Sequence, residues 1–242
     1  MELCIFNKIE DDLCIKGILE KDNVIVLRNI IEFSETEGVT SSAIKEYVAT
    51  RLANDDNILS RLAQAGKFIG DDLYRLAKFD IEQIYKKLFS TQIKYAPSGN
   101  PIGFSNGYVA SIRAITESKS AQELLDLLIE HYRKFGSGIL AKYNAFRYDG
   151  ELIGVTNTDD ITFDSLVGIE YQKQVLIDNT KAFVSGKAAN NVLLFGDRGT
   201  GKSSSVKALL NMFCDDGLRI IEMPKHCIKD IPSLSKVLAE SP

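Results

Sequence analysis

At 242 residues the chain has room for one large domain or two smaller ones, and 45% hydrophobic with 26% charged residues is ordinary for a packed globular protein. Its 29 Lys+Arg against 33 Asp+Glu leave a formal net charge of -4, which excludes a global basic field recruiting nucleic acid or an anionic membrane. No run of about 18 apolar residues spans a bilayer, and the start, MELCIFNKIEDDLC, lacks the basic lead and apolar stretch of a signal peptide, so a cytoplasmic protein is expected.

Cys4, Cys14, Cys214 and Cys227 are scattered and include no C-x-x-C pair, so reduced thiols are expected. From Glu35 to about Phe89 apolar residues recur at helical spacing, clearest in Leu73, Leu76, Ala77, Ile81, Ile84, Tyr85 and Leu88, so this half is mostly α. The segment Tyr95 to Gly107 collects Pro, Gly, Ser and Asn and reads as loop. Ser120 and Glu123 then stand at capping-box spacing before a helix whose apolar face is Leu124, Leu125, Leu128 and Tyr132. His131 on that helix is expected at the surface or boundary. Gly136 and Gly138 interrupt the pattern, and FRYDGELIGV predicts two short strands around an Asp149-Gly150 turn. The expected division is an α-rich region over 1–140, a hairpin and linker over 141–161, and a third segment over 162–242.

In that third segment, Asn191 to Phe195 is an apolar run of strand length, and Val206, Leu209, Leu210 and Phe213 repeat at i, i+3, i+4 and i+7. A strand is expected to feed a helix through the loop GDRGTGKS, Gly196 to Ser203, which matches G-x-x-x-x-G-K-[ST], the P-loop or Walker A pattern. Each fixed type serves phosphate binding. Gly196, Gly199 and Gly201 let the backbone take φ > 0 and approach a ligand closely, so successive N–H groups, Thr200 and Ser204 included, converge on one anion. The following helix adds its unpaired N–H groups and dipole. Lys202 reaches the β- and γ-phosphates as the catalytic charge, and the Ser203 hydroxyl is placed on Mg²⁺. The expected cofactors are ATP or ADP with Mg²⁺. Asp197 and Arg198 occupy free positions of the pattern and receive no role.

The stretch Ile161 to Ser204 resembles the start of an AAA+ ATPase module, in which a D-x-L-[IV]-G box, here Asp164, Leu166, Val167 and Gly168, opens a helix about thirty residues before the P-loop. The resemblance implies that Leu166, Val167 and Gly168 contact the adenine base, and an apolar turn ended by glycine suits a flat purine. NNVLLFGDRGTGKSSSVKALLN followed by GLRIIEM is similar to the bacterial family of predicted AAA+ ATPases catalogued as domain of unknown function 815. The resemblance covers about Ile161 to Met223 by motif, and the α-rich front half is assigned to the same family.

Hydrolysis in that class requires an acid pair ending an apolar strand, a sensor residue and an arginine from a neighbouring subunit, none of which is identifiable here. Glu222 ends a strand that directly follows the P-loop helix, a position at the sheet edge, and Asp215 and Asp216 read as a solvated turn. Cys214, His226 and Cys227 fit no zinc spacing. The expected fold class is α/β: a mostly helical N-terminal region, then a P-loop domain with a parallel sheet, truncated before the Walker B strand. The expected function is an ATP-binding AAA+ module that, complete, hydrolyses Mg-ATP to remodel an unknown protein partner and forms a homo-oligomer. A nucleotide-binding regulatory module without turnover is the alternative from another class, and a P-loop kinase is a third. No membrane partner is expected, and the sequence carries no strong nucleic-acid signal.

Overall fold

Asp12 opens the first helix of the computed structural model, α1 (Leu13–Glu20), by accepting the N–H groups of Cys14 and Ile15, two donors that a helix start leaves unpaired. Asp22 does the same for α2 (Asn23–Glu37). The structure describes residues 1–38, 42–89, 104, 106–156 and 159–238. After α3 (Ala43–Ala53), a capping box of Asn57 and Ser60 starts α4 (Ile58–Gln64). Next come α5 (Asp71–Ile84), which runs on as a π-helical turn over Tyr85–Phe89, then α6 (Asn106–Thr116), α7 (Ala121–Phe135) and α8 (Ile139–Lys142). Most of the loop expected over Tyr95 to Gly107 lies outside the described residues; Asn106 and Gly107 belong to α6.

The helical core is built around α7, against which α4, α5, α3 and α6 pack, while α1 packs on α2. Leu124, Leu125, Leu128 and Tyr132 are all fully buried, as the 3.6-residue period requires. Ser120 caps α7 through the N–H of Glu123, and the Tyr132 hydroxyl, deep in the core, donates to the Leu52 carbonyl at 2.6 Å. On α5 and its extension the inward face is Ala77, Ile81, Ile84 and Leu88; Leu76 is turned outward, 44% exposed, because one residue rotates the helix about 100°. His131 corrects the expectation for it: it is buried, with Tyr108, Tyr132 and Phe135 around its ring. Asp80, also buried, points its carboxylate at the N-terminal segment and accepts the N–H groups of Cys4, Ile5 and Phe6 at 2.6–3.0 Å.

The chain divides into two compact units, Met1–Lys142 with Asp230–Pro242, and Tyr143–Lys229. The second begins with the hairpin: β1 (Ala145–Tyr148) pairs antiparallel with β2 (Leu152–Gly154) around Asp149 and Gly150, the latter at φ 84°. Gly154 has a steric reason, since a Cβ there would lie 2.3 Å from the Tyr143 ring. Then follow α9 (Glu170–Val184), α10 (Lys202–Phe213) and β3 (Ile220–Glu222), with α11 (Ile231–Leu238) after them in the first unit.

The sheet differs from the expected one. It is mixed and has the order β2-β1-β3, with β1 and β3 parallel. Asn191 to Phe195, expected as a strand, joins no ladder, and β3 pairs through one edge with β1 of the hairpin. Val192, Leu193 and Phe195 are therefore exposed, unlike the residues of a parallel strand covered on both faces. The chain is thus mostly helical with a small mixed sheet, an α/β composition. No helix among the described residues is long and apolar enough to cross a membrane.

Candidate functional site

The approach to the glycine loop is pinned by one amide. Asn179 on α9 donates from Nδ2 to the Asn190 carbonyl at 2.9 Å and accepts the Asn190 N–H at 2.8 Å, pairing with the backbone as a strand would. The chain then turns at Gly196, Gly199 and Gly201, whose φ values of 139°, 86° and 82° lie where a Cβ is unfavourable. Gly201 is the left-handed N-cap of α10, and no side chain caps that helix. Its first N–H groups follow directly on the glycine turns with no side-chain cap, an arrangement that favours an anion.

Lys202 folds back over the loop. Its Nζ donates to the carbonyls of Gly196 and Asp197 at 2.8 and 2.6 Å and to Thr200 Oγ1 at 3.2 Å. Thr200 Oγ1 in turn donates to the Asp197 carbonyl at 2.9 Å, bracing the turn from inside. Ser203 is exposed and Ser204 half-buried in the first turn of α10, while Ser205 is buried and donates to the Gly201 carbonyl. The loop is thus open to solvent, with one ammonium drawn across it and a hydroxyl beside it.

Leu166 lies against this loop: a Cβ on Gly201 would sit 3.8 Å from Leu166 Cδ2 and 4.0 Å from Ile169 Cδ1. The structure therefore brings Leu166 to the loop across some thirty-five residues. Val167 beside it is 89% exposed, and Gly168 turns the chain at φ 83° into α9. Asn211 of α10 fixes the segment before them, donating to the carbonyls of Asp159 and Ile161 at 2.9 Å, and Lys207 pairs with the Asp159 carboxylate.

The acids considered for catalysis are engaged elsewhere or solvated. Glu222 ends β3, an edge strand, and pairs with Arg147 of β1 at 3.6 Å. Asp215 and Asp216 are exposed in a short 3-10 turn after α10.

Sequence reasoning set Cys214, His226 and Cys227 side by side; the structure gathers a different set. His226 Nε2 lies 3.0 Å and Cys227 Sγ 3.7 Å from the same oxygen, Oδ1 of Asp149 in the hairpin turn. The His226 hydrogen bond holds the Asp149 carboxyl below its usual range. Asp149 reads in sequence only as a turn residue. No local signal joins it to a residue 77 positions away; the β1–β3 register does so, by carrying both chain segments past the same end of the sheet.

Residues 141–242 match the model of a family described as a protein of unknown function (DUF815). No curated protein and no solved structure matches the chain. The family match leaves the helical front half, 1–140, outside it. Over the hairpin, the Leu166 turn and the glycine loop, the chain is therefore similar to the DUF815 family.

Proposed function

We propose that the segment around Gly196–Ser203 binds ATP or ADP with Mg²⁺, and that the chain is the nucleotide-binding part of an AAA+ ATPase. The observation that carries this reading is the loop itself. Three glycines at positive φ lead into an uncapped helix, and the Lys202 ammonium spans the loop on oxygens that a phosphate can replace. Backbone N–H groups of residues 199–204 supply hydrogen bonds to the β-phosphate, Lys202 adds charge at the β- and γ-phosphates, and Ser203 ligates the metal. Leu166, Val167 and Gly168 receive the adenine ring, a role supported by the contact of Leu166 with the loop at Gly201.

In the complete protein the reading extends to hydrolysis of Mg-ATP, to remodelling of a protein partner and to a homo-oligomer that supplies an arginine across the subunit boundary. Calorimetric titration of the 242-residue chain with ATP and ADP, each with and without Mg²⁺, tests the binding step. One saturable, Mg²⁺-strengthened site supports the proposal. The absence of heat for either nucleotide at millimolar concentration removes it.

A further inference from the structure

We propose that Asp149, His226 and Cys227 form a binding site for a zinc-class divalent cation. The three ligand atoms, one carboxylate oxygen, one imidazole nitrogen and one thiol sulfur, all lie within 4.8 Å of one another. Tetrahedral zinc, with bonds near 2.0 Å to nitrogen or oxygen and 2.3 Å to sulfur, separates its ligand atoms by about 3.3 to 3.8 Å. The observed 3.0 and 3.7 Å bracket that spacing, and the third separation, within 4.8 Å, is brought to it by side-chain rotation.

The mode of convergence decides between two chemistries. A cysteine nucleophile activated by a histidine requires the imidazole to stand between thiol and carboxylate, using a different nitrogen for each. Here His226 Nε2 and Cys227 Sγ both aim at Asp149 Oδ1. Two groups converging on one oxygen of the third leave the three ligand atoms gathered in one place rather than strung out as links of a relay.

The fold supports the geometry from both sides. Asp149 leaves β1 and the His226–Cys227 pair follows β3, and parallel pairing of Arg147 with Glu222 brings both exits to one end of the sheet. The short 3-10 segment Lys225–Asp230, started by a hydrogen bond from Cys227 N–H to the Pro224 carbonyl, turns the two neighbouring side chains toward the hairpin. Cys227 is buried, whereas the side chains of Asp149 and His226 are 63% and 71% exposed. The fourth position faces solvent and takes water, as in three-ligand zinc sites. Sulfur and imidazole nitrogen select zinc over Mg²⁺, which keeps this site distinct from the one proposed at Ser203.

Binding removes the Cys227 thiol proton to solvent as the Cys–metal bond forms, and moves the imidazole proton from Nε2 to Nδ1. The experiment uses chelator-treated full chain without nucleotide, titrated with Zn²⁺ by calorimetry and with Co²⁺ by absorption, in excess Mg²⁺. The expected result is one equivalent of either ion, a thiolate-to-cobalt charge-transfer band, and heats that vary between buffers by one proton's ionisation enthalpy. Cys227→Ser abolishes the band, and Cys214→Ser leaves it intact. Because Cys227 is buried and its replacement can disturb folding, exposed Asp149→Asn is the second variant, expected to weaken Zn²⁺ about tenfold with an unchanged circular dichroism spectrum. No binding overturns the proposal. So does a cobalt band that survives in folded Cys227→Ser, or a Zn²⁺ affinity indifferent to Asp149→Asn.

Discussion

Lys202 Nζ donates to the carbonyl of Gly196 at 2.8 Å, tying the first residue of α10 back to the first glycine of the loop. A phosphate that enters must offer the ammonium better acceptors than neutral carbonyls, and its charged oxygens do so. Lys202→Ala therefore removes a charge-assisted contact worth roughly 1.5 to 3 kcal/mol, and weakens Mg-ATP by about tenfold to a hundredfold. Equal calorimetric affinities for the variant and the parent would take Lys202 out of the phosphate role.

Leu166 offers an apolar side chain to the loop, in reach of Gly201. If the proposed adenine contact holds, a carboxylate there repels the phosphates and replaces the purine's surface, so Leu166→Asp is expected to weaken ATP about tenfold or more. ATP is also expected to bind more tightly than GTP, since the chain has no Asn-Lys-x-Asp sequence to read guanine. A competition titration in which GTP wins would sink the assignment of Leu166, Val167 and Gly168.

The chain is expected to bind nucleotide without appreciable turnover. In the proposed site Lys202 and Ser203 hold phosphates and metal, but activation of the attacking water needs a carboxylate beside the γ-phosphate, and Glu222 pairs with Arg147 on an edge strand. Phosphate release by the parent should equal that of Lys202→Ala. Lys202-dependent release well above that control would point to an acid already in the chain, with Glu222→Gln the variant to identify it.

The α7 face and the hairpin were legible because each is written locally: a cap and a 3.6-residue period at Ser120 to Tyr132, and a turn pair at Asp149-Gly150. The glycine loop was legible for the same reason. What escaped depends on distant pairing. The apolar run Asn191–Phe195 has the composition of a strand, yet a strand exists only with a ladder partner, and composition does not name one; the partner that β3 finds is β1 of the hairpin. His131 carries a polar ring whose burial depends on packing by Tyr108 of α6, a contact that helix period alone does not reveal.

That burial makes acid sensitivity the next expectation. His131 Nδ1 sits 2.8 Å from Ser111 Oγ, Nε2 has no partner among the described residues, and burial pulls the pKa from 6.5 to about 4. A base whose folded pKa is depressed contributes stability fully above its unfolded pKa and loses it as protons bind to the unfolded chain. The loss therefore falls between pH 6.5 and about 4, and amounts to about 3 kcal/mol. With no Trp in the chain, urea unfolding followed by far-UV circular dichroism at the two ends of that window measures it. His131→Leu should flatten the pH dependence; a profile unchanged by that substitution would assign the loss to other groups.

Gly154→Ala tests the hairpin by size alone. Its Cβ would meet the near side of the Tyr143 ring at 2.3 Å, so the ring or strand must move, at a cost of about 1 to 3 kcal/mol. Replacing Tyr143 by Ala as well should make the Gly154 substitution nearly neutral in a double-mutant cycle. Additive losses would mean that the two residues do not share the space.

Asp80 and the N–H groups it holds are separated by 74 to 76 positions. Closing a loop of that length costs roughly 4 kcal/mol of chain entropy beyond the constant for any closure, and the reward arrives only when α5 already presents its carboxylate in place. A late step is expected. α1 packs on α2 and α2 on α3 through near contacts, and α5 is seated on α7; residues 4–6 are expected to dock after them, so that a substitution of Asp80 hastens unfolding more than it slows folding.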